Sequence, residues 1–172
     1  MLNINRIKKA IPHAFTLGNL AFGFLAITYT FKQEYLLASL LIILASIFDI
    51  IDGHVARWLD VSSELGKQLD SLADATSFVI APALMVYLKL LEGSNLGLFV
   101  GVVISICGIL RLAKFNLLKP LPHFVGLPTP WFAVIVLVFV MGNIMIGQFT
   151  GAILFLILAG FMVSNVRLPN FK

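Results

Sequence analysis

Polar and apolar positions in this chain separate into long blocks. Apolar runs long enough to be membrane helices alternate with short polar breaks. A helix needs about 20 apolar residues to cross a bilayer. The runs extend from about Phe15 to Phe31, Tyr35 to Arg57, Gly66 to Leu91, Leu96 to Ala113, Trp131 to Ile146 and Phe149 to Val166. The breaks fall at FKQEY, at the polar stretch Trp58–Glu64, at LEGSN, at NLLKPLPHFVGLPTP and at IGQFTG, all rich in turn-forming residues. Continuous apolarity, without every-second-residue alternation, selects helices over a barrel. The expected fold class is all-α: a polytopic membrane protein with six transmembrane helices and a short N-terminal interfacial amphipathic helix, forming one membrane domain over residues 1–172. The last two helices are expected to form a tight hairpin around Gly147-Gln148. Gly97/Gly101 and Gly147/Gly151 are pairs of small residues that allow close helix approach.

Composition agrees. Of 172 residues, 60% are hydrophobic and 12% charged, and the mean hydropathy is +1.02. A soluble domain is about half apolar and a quarter charged. The single cysteine, Cys107, lies in an apolar run, which excludes an internal disulfide and marks a packing residue. The start, MLNINRIKKAIPH, is basic but lacks a small-residue cleavage site, so it reads as part of the protein and not as a secretory leader. Ile4, Ile7 and Ile11 share one helical face there, with Arg6, Lys8 and Lys9 away from it, and Pro12 is expected to break the helix before the first span. Such a unit either lies on anionic headgroups or acts as a topology signal. Of the 12 Lys and Arg residues, only Lys32 and Lys89 fall on the side opposite the termini. Positive charge concentrates on the cytoplasmic side, so both termini are expected there, in the cell membrane. Trp58 and Trp131 read as interface anchors, and no nucleic-acid partner is expected.

Asp49, Asp52, Asp70 and Asp74 break the apolar pattern. A carboxylate at bilayer depth costs several kcal/mol or more, so a group of them requires a strong positive charge. Asp49 and Asp52 are three apart, and Asp70 and Asp74 four apart. Each helix therefore presents two carboxylates on one face, and antiparallel packing brings the pairs together. Oxygen ligands suit hard cations, Mg²⁺ or Mn²⁺. Four carboxylates are too many for one Mg²⁺ that also keeps waters and a phosphate, so two ions are expected. Such a pair clamps the attacking and leaving oxygens of an in-line displacement. Gly53, Ala56 and Gly66 clear space beside the carboxylates for a flat base or a pyrophosphate, and Arg57 adds a fixed cation.

The pattern Asp49-x2-Asp52-Gly53-x2-Ala56-Arg57-x8-Gly66-x3-Asp70-x3-Asp74 resembles the signature of the CDP-alcohol phosphatidyltransferase family, with every specified position filled. IPHAFTLGNLAFGFLAI, GKQLDSLAD, RLAKFN, GLPTP and VSNVRLPNFK further resemble the membrane-embedded phosphatidylserine synthase branch of that family. His13 departs from it, standing where that branch usually has Asn. The resemblance implies transfer of the phosphatidyl group of CDP-diacylglycerol, or an ether-lipid equivalent, to the hydroxyl of L-serine, with release of CMP. It implies that Asp49, Asp52, Asp70 and Asp74 hold two Mg²⁺ or Mn²⁺ ions and that Asp74 is also the catalytic base. A carboxylate shared by two cations is a weak base, so metal polarisation of the alcohol is expected to contribute. Thr16, Asn19, Gly53, Ala56, Arg57, Gly66 and Lys67 are the implied CDP-lipid contacts, although snorkelling to the headgroups is the stronger reading of Lys67. Arg111 and Asn116 are candidates for the serine side, since a guanidinium suits a carboxylate. The resemblance also implies a homodimer.

Two other readings stay open. A phosphorylated acceptor, glycerol 3-phosphate or inositol phosphate, requires clustered cations, and only Arg57, Lys67, Arg111 and Lys114 are at hand. An ion or proton transporter using intramembrane carboxylates would show inverted repeats and broken helices near the midplane. Asp60 and Glu64 lie outside the motif and read as solvated. His54 and His123 read as packing or surface residues, and a triad of Ser62 or Ser63 with His54 lacks an oxyanion site.

Overall fold

The computed structural model describes residues 4–61, 63–117 and 126–164, with side chains from residue 10 onward. These residues are all-helical. The helices are α1 (Ile4–Phe31), α2 (Tyr35–Trp58), α3 (Glu64–Leu90), α4 (Asn95–Leu117), α5 (Thr129–Met141) and α6 (Gln148–Val163). The first four include stretches long and apolar enough to cross a bilayer, and α5 and α6 are shorter apolar helices. The protein is an integral membrane protein. At a rise of about 1.5 Å per residue, the 13 residues of α5 reach about 20 Å, less than the roughly 30 Å of a hydrocarbon core.

Local chemistry sets most helix ends. Left-handed backbone follows α1 at Gln33, α2 at Asp60, α3 at Glu92 and Gly93, and α5 at Asn143. A residue in this conformation stops a helix and satisfies its terminal carbonyls. α3 starts where Ser63 Oγ accepts a hydrogen bond from the Gly66 N–H at 3.0 Å, an N-cap. Two expected boundaries are corrected. The helix does not break at Pro12: α1 runs through it, and the expected separate N-terminal helix is the first part of α1. A proline removes one backbone hydrogen bond without having to end the helix. α5 stops at Met141, not Ile146, because Gly142 and left-handed Asn143 terminate it. The connection to α6 thus spans residues 142–147. The side chains of Ile4, Arg6, Ile7, Lys8 and Lys9, together with Ser62, Lys119, His123, Arg167, Lys172 and most of VSNVRLPNFK, lie outside the described residues.

α1 packs along α2 and the first part of α3, α4 packs on α6, and α2 meets α5. The core is apolar, with Ile42, Phe78, Met85, Ile104, Phe132 and Phe155 fully buried. Large apolar side chains such as Phe24, Leu36, Phe99, Val102 and Ile153 face outward, as suits a protein whose solvent is lipid. Trp58 and Trp131 are exposed as well. Gly97 lies against Leu91, just past the end of α3, Gly101 against Ala83 and Tyr87 of α3, and Gly151 against Leu91. Gly147 sits in the turn and meets only Thr150. α3 widens into π-helical turns at Ala75–Ile80 and Val86–Leu90, on either side of the buried Pro82. Pro82 has no N–H for the regular ladder, and such wide turns recur at functional sites. The first begins directly after Asp74.

Candidate active site

α2 and α3, joined by the short link at residues 59–63, bring Asp49, Asp70 and Asp74 together. One carboxylate oxygen from each lies within 4.8 Å of the others. Asp52 stands apart from this trio. It is 6% exposed, and its Oδ2 accepts a 2.8 Å hydrogen bond from the hydroxyl of Thr16 on α1. Asn19, one turn further along α1 and fully buried, donates from Nδ2 to Asp74 Oδ1 at 3.3 Å. Ser77 Oγ donates to the Asn19 carbonyl at 3.0 Å. α1 is thus a third wall of the site. Of the two residues expected there as nucleotide contacts, Thr16 places its hydroxyl and Asn19 its amide N–H on a carboxylate.

The trio is electrostatically incomplete. With these oxygens no more than 4.8 Å apart and an effective dielectric constant of about 20, each pair of charged carboxylates repels by at least roughly 3.5 kcal/mol. Among the described residues the one side-chain ion pair is Lys67–Glu64 (3.2 Å), on the exposed surface. No basic side chain of the described residues is bonded to the aspartates. Asn19 Oδ1 is buried and has no hydrogen-bond partner. An all-oxygen donor set short of positive charge fits a hard divalent cation.

The remaining expected residues fall into two groups. Gly53 borders open space, since a Cβ built on it meets nothing within 4 Å, in keeping with room for a ligand beside the carboxylates. Ala56 is half-buried and Arg57 exposed. A Cβ on Gly66 comes within 3.1 Å of Ser63 Oγ and 3.2 Å of His13 Nε2. His13, the departure in the first helix, therefore lies beside the motif glycine, a neighbour that sequence spacing does not reveal. Lys67 is exposed and paired only with Glu64, in keeping with a headgroup-facing lysine. His54 is also exposed, bonding the Ile50 carbonyl on its own helix.

The proposed acceptor residues lie on the α4 side. Arg111 Nη1 donates to Thr129 Oγ1 at 3.4 Å, and Arg111 Nε is buried without a partner. Asn116 Nδ2 donates to Ser71 Oγ at 2.8 Å, with Asn116 Oδ1 3.1 Å from the same hydroxyl, tying the end of α4 to α3 one residue beyond Asp70. Ser71 and Thr129 were not singled out from the sequence. Both lie in segments that carry the resemblance, GKQLDSLAD and GLPTP, which is the one signal that points to them.

Comparison with known proteins agrees with this geometry. The family model described as CDP-alcohol phosphatidyltransferase matches residues 9–164. The chain is 35% identical over 166 residues to the CDP-diacylglycerol–serine O-phosphatidyltransferase of Bacillus subtilis (strain 168), covering 94% of this chain and 91% of the relative. It is 35% identical over 175 residues to the protein of the same name from Helicobacter pylori (strain J99), covering 94% and 72%. It is 33% identical over 176 residues to the archaetidylserine synthase of Methanothermobacter thermautotrophicus, covering 99% and 75%. With nearly its whole length matched and three of the four motif carboxylates gathered at one site, the chain belongs to the CDP-alcohol phosphatidyltransferase family.

Proposed function

We propose that this protein transfers the phosphatidyl group of CDP-diacylglycerol, or of an ether-lipid equivalent, to the hydroxyl of L-serine, forming phosphatidylserine or its ether counterpart and releasing CMP. The observation that carries this reading is the cluster of Asp49, Asp70 and Asp74 on membrane helices, in a chain whose similar relatives have serine in their names.

Asp49, Asp52, Asp70 and Asp74 are the residues that would hold two Mg²⁺ or Mn²⁺ ions. Those ions supply charge neutralisation for the pyrophosphate and the phosphoryl oxygens. The protein's own groups do the rest. Thr16 fixes the rotamer of Asp52 and Asn19 that of Asp74. Asp74 accepts the proton of the serine hydroxyl as its oxygen bonds to phosphorus and the bond from phosphorus to the CMP oxygen breaks. The open space at Gly53 admits the cytidine, bordered by Ala56 and Gly66, while Arg57 stands at the exposed rim toward the phosphates and Lys67 faces the headgroups. Arg111 and Asn116 border the acceptor, with the guanidinium facing the serine carboxylate.

In the membrane we place all six helices as spans, with the site and both termini on the cytoplasmic side, as the distribution of Lys and Arg supports. A homodimer is the proposed assembly. The test is CMP release by purified protein given CDP-diacylglycerol, Mn²⁺ and, in turn, labelled L-serine, glycerol 3-phosphate and inositol phosphate. Serine supports release in the wild type, and Asp74→Asn abolishes it. Preference for a phosphorylated acceptor, or full activity of Asp74→Asn, overturns the reading.

A further inference from the structure

Arg111 is a cation inside a membrane helix with few of its donors used. A guanidinium has five N–H donors in a planar fork. Among the described residues one of them has a partner, the Thr129 hydroxyl at 3.4 Å. Nε is buried and unpartnered, and no carboxylate forms an ion pair with the group. A buried donor left without an acceptor costs about 1–3 kcal/mol, so the arrangement calls for an acceptor from beyond the described residues, such as a bound substrate.

Which edge is spent decides what that acceptor is. Thr129 Oγ1 takes Nη1. The edge formed by Nε and Nη2 is left, and its two parallel N–H bonds match the two oxygens of a carboxylate. Thr129 is itself 1% exposed and is the first residue of α5. Its hydroxyl is held by the packing of that helix, so the end of the guanidinium bonded to it is held too. Asn116 of the same helix is hydrogen-bonded to Ser71, next to Asp70, so this end of α4 lies beside the helix that carries two of the site carboxylates.

We propose that Thr129 is a positioning residue for acceptor choice: by accepting from Nη1 of Arg111 it presents the Nε–Nη2 edge as a fork for the carboxylate of the amino-acid acceptor. The proposal rests on the serine reading given above. It assigns the start of α5 to substrate selection, although none of the four signature aspartates lies on that helix.

The test compares wild type, Thr129→Val, Thr129→Ser and Arg111→Lys, with L-serine and L-serine methyl ester as acceptors and CMP release as the readout. Thr129→Val keeps the shape and loses the hydroxyl. Its serine KM rises roughly tenfold, the loss of about one hydrogen bond, while the CDP-lipid KM and kcat stay within about twofold. Thr129→Ser restores the wild-type serine KM. Arg111→Lys keeps the charge without the fork, and its preference for serine over the ester, which lacks the carboxylate charge, falls by the same order. A purely structural role for Thr129 would change both KM values and kcat together and would not be rescued by Ser. That pattern overturns the proposal, as does an unchanged serine KM in Thr129→Val. If Thr129→Val does not fold, an unchanged preference for serine over the ester in Arg111→Lys overturns it alone. A wild type that releases no CMP with serine overturns the serine reading and this proposal with it. A wild type active on serine with unaltered variants overturns this proposal only.

Discussion

Neutralising one aspartate of the trio is predicted to have opposite effects with and without metal. In Asp70→Asn the shape is retained and the charge lost. The three carboxylates, within 4.8 Å of one another, form three repelling pairs at roughly 3.5 kcal/mol each when all are ionised. Asp70 takes part in two of them. Proton uptake and solvent at these half-buried groups reduce the relief well below that sum, to about 1–2 kcal/mol. For a chain of this length 1 kcal/mol moves Tm by about 2–4 °C. Asp70→Asn is therefore predicted to melt several degrees above wild type in EDTA. Wild type gains Tm on adding Mn²⁺, because a cation bound only by the folded state stabilises it by mass action. The mutant, short of one charged ligand, gains little. The order of the two melting temperatures thus reverses between the two buffers. The half-buried Cys107, the single cysteine, gives the assay: a thiol-reactive fluorophore in detergent reports unfolding as that thiol becomes accessible. If Asp70→Asn melts below wild type in EDTA and still shows the full shift with Mn²⁺, the carboxylates do not form a charge-strained cation site.

Two further outcomes follow from α1 and from Gly53. Thr16→Val removes the hydroxyl that holds Asp52 and is predicted to weaken Mn²⁺ binding, read as free Mn²⁺ by electron paramagnetic resonance, by about tenfold, within the range for partners of metal ligands. Thr16→Ser should retain wild-type affinity, and equal affinity in all three proteins would show that the bond does not orient Asp52. Gly53→Ala adds a methyl group where nothing lies within 4 Å, so Tm should stay level or rise, since Ala is favoured over Gly in helices by about 1 kcal/mol. The CDP-lipid KM should rise if the nucleotide lies there, and an unchanged KM would place it elsewhere.

The sequence by itself determined the chemistry and the helical plan. Apolar blocks cannot satisfy their backbone in lipid except as helices, and left-handed residues sit just past three of the helix ends in the expected polar breaks. Two carboxylates per helix at i,i+3 and i,i+4 follow from helical geometry alone, which is why the aspartates were legible before any fold was known. Pro12 and the end of α5 depart from the pattern for local reasons: a proline can be carried within a helix, and Gly142-Asn143 stops α5 inside an apolar run. Only the tertiary structure decided which side chains meet across helices. Thr16 finds Asp52 and Asn19 finds Asp74 because α1 packs into the angle of α2 and α3. Ser71 finds Asn116, Thr129 finds Arg111 and His13 finds Gly66. Periodicity fixes which residues share a face of one helix. It does not fix the rotation and depth at which two helices pack, and those set every polar contact between them.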